Sequence, residues 1–262
     1  MSQQIVQIDS FTDKPFAGNP AGVCLMTKAA DENWMQQVAA EMNLSETAFL
    51  YPHGEGYNLR WFTPAAEVKL CGHATLASAH LLYQDGHVPR DRTISFFTKS
   101  GELKARFDNG WIELDFPARQ LVPATPPDGL LQALGIRASN VCKHESFYLI
   151  EVESEDVVRA LAPDFGQIAK LPVRGVIVTS KSSGSYDFVS RYFAPAVGVN
   201  EDPVTGSAHC ALGPYWQGKL GKSSFLAYQA SKRGGVMKVR VERDRVFMSG
   251  QAVTVLRCEL QS

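Results

Sequence analysis

The sequence predicts an α+β protein built from two pseudo-symmetric domains, each a curled mixed sheet or barrel around a buried central helix. Three observations point there. Arg60-Trp61-Phe62-Thr63-Pro64-Ala65 returns as Arg191-Tyr192-Phe193-Ala194-Pro195-Ala196, 131 residues later. Each copy runs into a glycine-led, small-residue segment, Gly72-His73-Ala74-Thr75 and Gly206-Ser207-Ala208-His209, now 134 residues apart. Lys104-Ala105-Arg106-Phe107-Asp108 and Lys238-Val239-Arg240-Val241-Glu242 repeat the offset of 134. So long a period is no solenoid; it reads as one fold used twice. We place the insertion behind the drift in Glu201-Asp202-Pro203-Val204-Thr205. The halves are then 1–117 and 118–262, with the last strand a candidate to pack back on the first half.

The elements follow in order. Val6 to Phe11 alternates and reads as a strand. Thr12 to Pro20 is turn chemistry, and Gly22 to Met26 is a short apolar strand. Asp31 to Met42 is a helix with Asp31 as its cap and Trp34, Val38 and Met42 on one stripe. Thr47 to Tyr51 and Asn58 to Phe62 are strands. His73 to Tyr83 is helical but apolar or small nearly all round, the mark of a buried helix. Thr93 to Thr98, Gly101 to Phe107 and Trp111 to Phe116 are strands, the last two joined at Asp108-Asn109-Gly110. Pro117 to Pro127 reads as the linker.

The second half repeats the order. Phe147 to Val152 is a strand, and Glu155 to Leu161 and Phe165 to Ala169 are short helices. Val176 to Thr179 and Phe188 to Phe193 are strands. Ser207 to Trp216 is the second buried helix. Phe225 to Gln229, Met237 to Val241, Val246 to Met248 and Val253 to Cys258 are strands. Each half thus holds a run of strands, one amphipathic helix and one buried helix.

Composition narrows the function. A net charge of −1 gives no long-range pull toward nucleic acid or an anionic membrane. No apolar run is long enough to span a bilayer. Met1-Ser2-Gln3-Gln4-Ile5 lacks the pattern of a secretory signal. Five scattered cysteines without a Cys-x-x-Cys pair read as free thiols in the cytoplasm. Cys71-x-His73 is half a metal site with no second half at zinc-like spacing, so no metal is expected. Nucleotide-binding and serine-hydrolase motifs are missing.

The starts of the buried helices carry the chemistry. The first N–H groups of a helix lack internal partners and carry partial positive charge. Beside Gly72 and Gly206 a carboxylate or oxyanion can approach the backbone closely. Related by pseudo-symmetry, the two starts are expected to face one cleft that suits a small carboxylate and a developing enolate. The plainer reading is capping by Thr205 or Ser207. Glu46 is a candidate general acid/base, although a solvent-facing side chain is the simpler reading of the residues alone. His73 reads equally as a proton donor and as a buried imidazole bonded to a carbonyl. Asp202, before Pro203, reads first as a turn former and second as an acid/base group.

Taken together, Asp9-Ser10-Phe11-Thr12, Phe16-Ala17-Gly18-Asn19-Pro20, Asn43-Leu44-Ser45-Glu46-Thr47, Arg60-Trp61-Phe62-Thr63-Pro64, Cys71-Gly72-His73-Ala74-Thr75 and Glu201-Asp202-Pro203-Val204-Thr205-Gly206-Ser207 resemble the PhzF-like family of phenazine biosynthesis. The resemblance covers essentially the whole chain. It implies the fold of diaminopimelate epimerase and a homodimer that works without cofactor or metal. The phenazine enzyme is an isomerase that moves a proton between ring carbons of a dihydro-hydroxyanthranilate. Its general acid/base matches Glu46. Residues matching His73, Asp202 and Ser207 line its site, and Asn19 sits where the related epimerases meet substrate. Cys71, Gly72, Thr205 and Gly206 complete the expected substrate-binding set. One departure stands out: the epimerases use two cysteines, whereas here only the first helix start has one, Cys71.

The expectation is therefore a cytoplasmic, cofactor-independent isomerase of a small carboxylate, amino-acid-like or cyclic, with Glu46 as acid/base. Two alternatives stand beside it: an epimerase or racemase using Cys71 and Asp202, and a metabolite-binding protein without turnover.

Overall fold

A computed structural model describes residues 3–145 and 147–261; Met1, Ser2, Ser146 and Ser262, the outer ends of the two expected halves among them, lie outside the described residues. The chain divides into two compact units, Met1–Phe116 with Phe247–Ser262, and Pro117–Val246.

Unit 1 runs β1 (Gln3–Ser10), β2 (Asn19–Leu25), α1 (Glu32–Met42), β3 (Glu46–His53), β4 (Gly56–Phe62), β5 (Glu67–Val68), α2 (Gly72–Gln84), β6 (Ile94–Thr98), β7 (Gly101–Asp108) and β8 (Trp111–Pro117). Its sheet is mixed. β1 pairs antiparallel with β2, β2 parallel with β3, β3 antiparallel with β4, β4 parallel with β6, and β6 antiparallel with β7. The closing strand Ala252–Leu260 lies antiparallel on the other edge of β1, so the end of the chain belongs to the first unit. Asn109 and Gly110 both take positive φ, 48° and 82°, and Asp108 sits opposite Trp111 across this two-residue turn.

Unit 2 runs β9 (Val122–Pro123), α3 (Leu130–Leu134), β10 (Asn140–His144), β11 (Phe147–Glu151), α4 (Glu155–Ala160), α5 (Phe165–Ile168), β12 (Val176–Lys181), β13 (Phe188–Ala194), β14 (Val199–Asp202), α6 (Gly206–Leu220), β15 (Ser224–Gln229) and β16 (Gly235–Glu242). The pairing signs repeat those of unit 1. β10 is antiparallel to β11, β11 parallel to β12, β12 antiparallel to β13, β13 parallel to β15, and β15 antiparallel to β16. The chain returns to unit 1 along the strand Arg245–Gly250.

The repeat is also chemical. Arg60 meets Glu67 with Nε at 2.8 Å and Nη2 at 2.7 Å. Arg191 meets Glu201 with Nε at 2.7 Å and Nη2 at 2.9 Å. Such two-pronged pairs fix orientation as well as distance. Each ties the strand before a buried helix to the short strand that leads into it. The pairs span seven and ten residues. The three extra residues therefore precede Glu201, in the stretch of the 3₁₀ turn Pro195–Val197, and not in 201–205 as the sequence suggested.

Other expectations change as well. Residues 117–127 are not a bare linker, because Val122–Pro123 pairs with Lys143 and Cys142 of β10. A short strand at the edge tolerates a proline that has no N–H to give. Unit 2 replaces the single amphipathic helix with α3, α4 and α5. α3 is five residues long between left-handed Gly129 and Gly135, too short for a hydrophobic period.

The two central helices are buried as expected. In α2, ten of thirteen residues are buried, and its hydroxyls turn inward to its own carbonyls: Thr75 donates to Cys71 O and Ser78 to Ala74 O. α6 continues past Trp216 to Leu220 and ends at left-handed Gly221. Gly213 lets α6 approach β16 closely, since a Cβ there would lie 2.9 Å from Val241 and 3.1 Å from Val239. Pro214 sits inside α6 and cannot donate to the Cys210 carbonyl one turn back. The Arg119 N–H takes that carbonyl at 2.9 Å, so no buried acceptor is stranded. Among the described residues, no helix is long and apolar enough to cross a membrane.

Glu201→Gln will leave Arg191, a residue only 9% exposed, with main-chain carbonyls but without its charged partner, and cost about 3 kcal/mol. Glu67→Gln will cost less, because Arg60 also meets Glu32. Urea unfolding midpoints of the two variants check the order.

Candidate active site

The turn before β2 is built under strain. Phe11 and Phe16 both adopt left-handed backbone, φ 64° and 67°, a conformation uncommon for bulky residues. Two bonds hold it: Phe11 N–H to Gln251 O at 2.7 Å, and Phe16 N–H to the buried Asp9 carboxylate at 2.7 Å. Gly18 has φ +63°, and a Cβ there would lie 2.1 Å from Ser10 O. Only glycine fits so close an approach. The next residue, Asn19, is thereby delivered into the interior at the first position of β2, fully buried.

Asn19 meets His73, the second residue of α2. The Asn19 amide nitrogen lies 3.3 Å from His73 Nδ1, and Cys71 Sγ lies 3.5 Å from the same nitrogen. Ser10 Oγ donates to the His73 carbonyl at 2.8 Å and pins the start of α2 to the end of β1. On the other side of the ring, Nε2 is 3.3 Å from Oε2 of Glu46, the first residue of β3. The Glu46 side chain is 19% exposed and that of His73 6%. The solvent-facing reading of Glu46 therefore gives way to a carboxylate drawn in beside an imidazole.

Burial and the Glu46 carboxylate act on His73 in opposite directions. The carboxylate favours the cation; burial disfavours any charge and is the larger effect, so the pKa falls to about 3. The ring is neutral at physiological pH. With an amide N–H and a thiol both turned to Nδ1, that nitrogen accepts and Nε2 carries the proton toward Glu46.

The helix starts complete the picture. Asp31, Ser154 and Asp164 cap α1, α4 and α5 with their own side chains. Cys71 and Thr205 stand at the cap positions of α2 and α6 and make no side-chain cap bond. The capping reading of Thr205 fails because its hydroxyl is spent on Asp202 Oδ2 at 2.6 Å. Ser207 lies inside the first turn of α6 and is not its cap. Gln229, at the end of β15, receives the Thr205 N–H at 2.8 Å and donates to the Asp202 carbonyl at 2.7 Å.

Asn19, Glu46, Cys71, Gly72 and His73 thus form one cluster in unit 1. Asp202, Thr205, Gly206 and Ser207 form another in unit 2. Sequence reasoning missed two organisers. Ser10 is a small polar residue at the end of a strand, with no sequence signal of its own. Gln229 closes an apolar strand as a buried amide, which was its one available signal. None of the five cysteines is in a disulfide, and burial pushes the thiols of Cys24 and Cys210 up to about 12.

The fold is thus an α+β one in which a mixed-sheet unit is built twice around a buried helix, and in unit 1 a carboxylate and an imidazole meet at the helix start. Residues 8–258 match the family model described as phenazine biosynthesis-like protein, and the chain belongs to this PhzF-like isomerase family. It is 56% identical over 262 residues to an uncharacterized isomerase of Halalkalibacterium halodurans, covering 99% of each chain. It is 49% identical over 254 residues to an uncharacterized isomerase of Pseudomonas aeruginosa, covering 96% of each. The crystal structure of a PhzF family protein of Enterococcus faecalis superposes with TM-score 0.94 at 39% identity, covering 100% of both chains. A probable proline racemase of Agrobacterium radiobacter shares the fold alone, with TM-score 0.66 at 12% identity over 99% of this chain and 93% of that one.

The buried imidazoles set an acid limit on stability. His209 Nδ1 lies 2.9 Å from Thr205 O, and burial lowers its pKa to about 4. For both His73 and His209 the folded pKa lies below the ordinary 6.5. The unfolded chain then binds protons that the folded chain refuses. Stability is held above about pH 6.5 and lost as pH falls toward 4, by about 1.4 kcal/mol per pH unit for each ring. Urea titrations across this range check the slope, and His209→Gln should remove one ring's share.

Proposed function

We propose that the protein is a cofactor-independent isomerase of a small carboxylate, cyclic or amino-acid-like, in which Glu46 takes a proton from one carbon and returns it to another. The observation that carries this reading is Glu46 Oε2 held 3.3 Å from a buried, neutral His73 at an uncapped helix start. A carboxylate in that position has a lone pair for a C–H proton and a buried, neutral ring beside it. As the C–H bond breaks, its electron pair moves into the substrate as an enolate. The N–H groups at Gly72 and His73 suit the negative oxygen of that enolate. The neutral His73 acts by donating its Nε2 proton as a hydrogen bond, since so low a pKa makes its cation hard to form. Re-protonation at a second carbon restores the Glu46 carboxylate, so no net proton or electron is consumed.

Asp202, Thr205, Gly206 and Ser207 enter the proposal as a second set of binding and proton-handling groups. The backbone N–H groups of Gly206 and Ser207, in the first turn of α6, offer the same seat for a carboxylate. A cytoplasmic homodimer belongs to the same proposal, on the strength of the resemblance. A racemase reading keeps one specific support, the Cys71 thiol 3.5 Å from His73 Nδ1.

Deuterium exchange separates these readings. A panel of cyclic and amino-acid-like carboxylates is incubated in deuterated water and followed by NMR and ultraviolet absorption. Isomerisation shifts double bonds and changes the spectrum; epimerisation labels and inverts one centre. Glu46→Gln is expected to lower turnover by about 10²–10⁴-fold, with Cys71→Ser within about tenfold of the parent. Loss of turnover in Cys71→Ser alone, with Glu46→Gln active, reverses the assignment. Ser207→Ala is expected to raise KM more than it lowers kcat.

A further inference from the structure

Cys71, His73 and Glu46 have a property that their spacing along the chain conceals. A thiol and an imidazole two residues apart are half a metal site, and the chain downstream holds no second half at zinc-like spacing. It comes from upstream, across the sheet, on β3. One donor atom from each of Glu46, Cys71 and His73 lies within 4.8 Å of the others. Cys71 and His73 are buried, and Glu46 is partly so. His73 Nε2 is itself buried and makes no hydrogen bond, a ring nitrogen aimed at a carboxylate without engaging it.

We propose that this cluster is a binding site for a soft divalent cation, with zinc as its best occupant, and that the ion shuts the proton-transfer site. Zinc binds thiolate, imidazole and carboxylate at about 2.0–2.3 Å, which sets tetrahedral donors roughly 3.3–3.8 Å apart. Cys71 Sγ and His73 Nδ1 already stand at 3.5 Å, and His73 Nε2 and Glu46 Oε2 at 3.3 Å. The ion uses one ring nitrogen, so the third donor closes by rotation about its own side-chain bonds. Three protein donors with one open position is the number that zinc takes at non-structural sites. A thiol and an imidazole disfavour magnesium and calcium, which want oxygen donors. Binding converts Cys71 from thiol to zinc thiolate and releases its proton to solvent.

The inhibitory half rests on the assignment of Glu46 as the proton carrier. A carboxylate bound to zinc has given up the lone pair with which it would take a C–H proton.

The experiment uses the full chain, stripped with a chelator and titrated with zinc chloride in a calorimeter, in buffers of different ionisation enthalpy. About one ion per chain, with net proton release, is expected. Cobalt chloride should give a thiolate charge-transfer absorption that zinc displaces. Cys71→Ser and Glu46→Gln should each weaken zinc binding at least about tenfold, and magnesium chloride should not compete. Absence of saturable zinc binding overturns the site, as does binding that is unchanged in both variants. Deuterium exchange is then followed at saturating zinc. Its loss supports the inhibitory role. Exchange that persists on the zinc-loaded chain overturns inhibition and the role of Glu46, while the binding data still establish the cation site.

Discussion

A helix buried on every side can hide its side chains but not its first turn. The peptide N–H groups there have no carbonyl of their own helix to meet. In α1, α4 and α5 an aspartate or serine meets them; in the two buried helices, α2 and α6, the cap residues do not. The sheet that wraps each helix therefore surrounds a polar end that its own chain leaves without a side-chain cap. The surrounding architecture serves that end. Ser10 ties down the carbonyl of His73, and Gln229 ties down the approach to α6.

The same interior decides which form of each acid or base survives. Burial strips His73 of its charge although a carboxylate lies beside it. A neutral ring leaves the neighbouring Glu46 carboxylate without the ion pair that an imidazolium would form with it. Strain at Phe11 and Phe16 is the local cost of bringing Asn19 to the far side of that ring. Backbone held in sparsely populated conformations persists when its surroundings over-determine it, and here a buried aspartate and a main-chain carbonyl do so.

Much of this was legible in the chain. The Arg60 and Arg191 repeats announced the duplication because their job is geometric and admits few residue types. The buried helices showed as stretches without a polar face. The hairpin at Asn109-Gly110 showed because positive φ at two successive positions needs such residues. What stayed hidden is what the fold alone brings together. Glu46 and His73 are far apart in the chain, on a strand and a helix, and no period links them. α3 is too short to display a pattern. The second buried helix was legible through Pro214, but nothing in the sequence said that Arg119 would claim the Cys210 carbonyl that the proline leaves without a donor. The insertion was misplaced because side-chain pairing, not residue similarity, marks the true correspondence of Glu67 with Glu201.

That correspondence has a consequence for how such halves diverge. Each arginine–glutamate clasp works as a ruler that reads only its two end points. One copy spans it with seven residues and the other with ten, and the helix behind still starts on a glycine. The excursion between the end points is therefore a natural grafting place, where new loop material can be trialled without moving the helix start downstream.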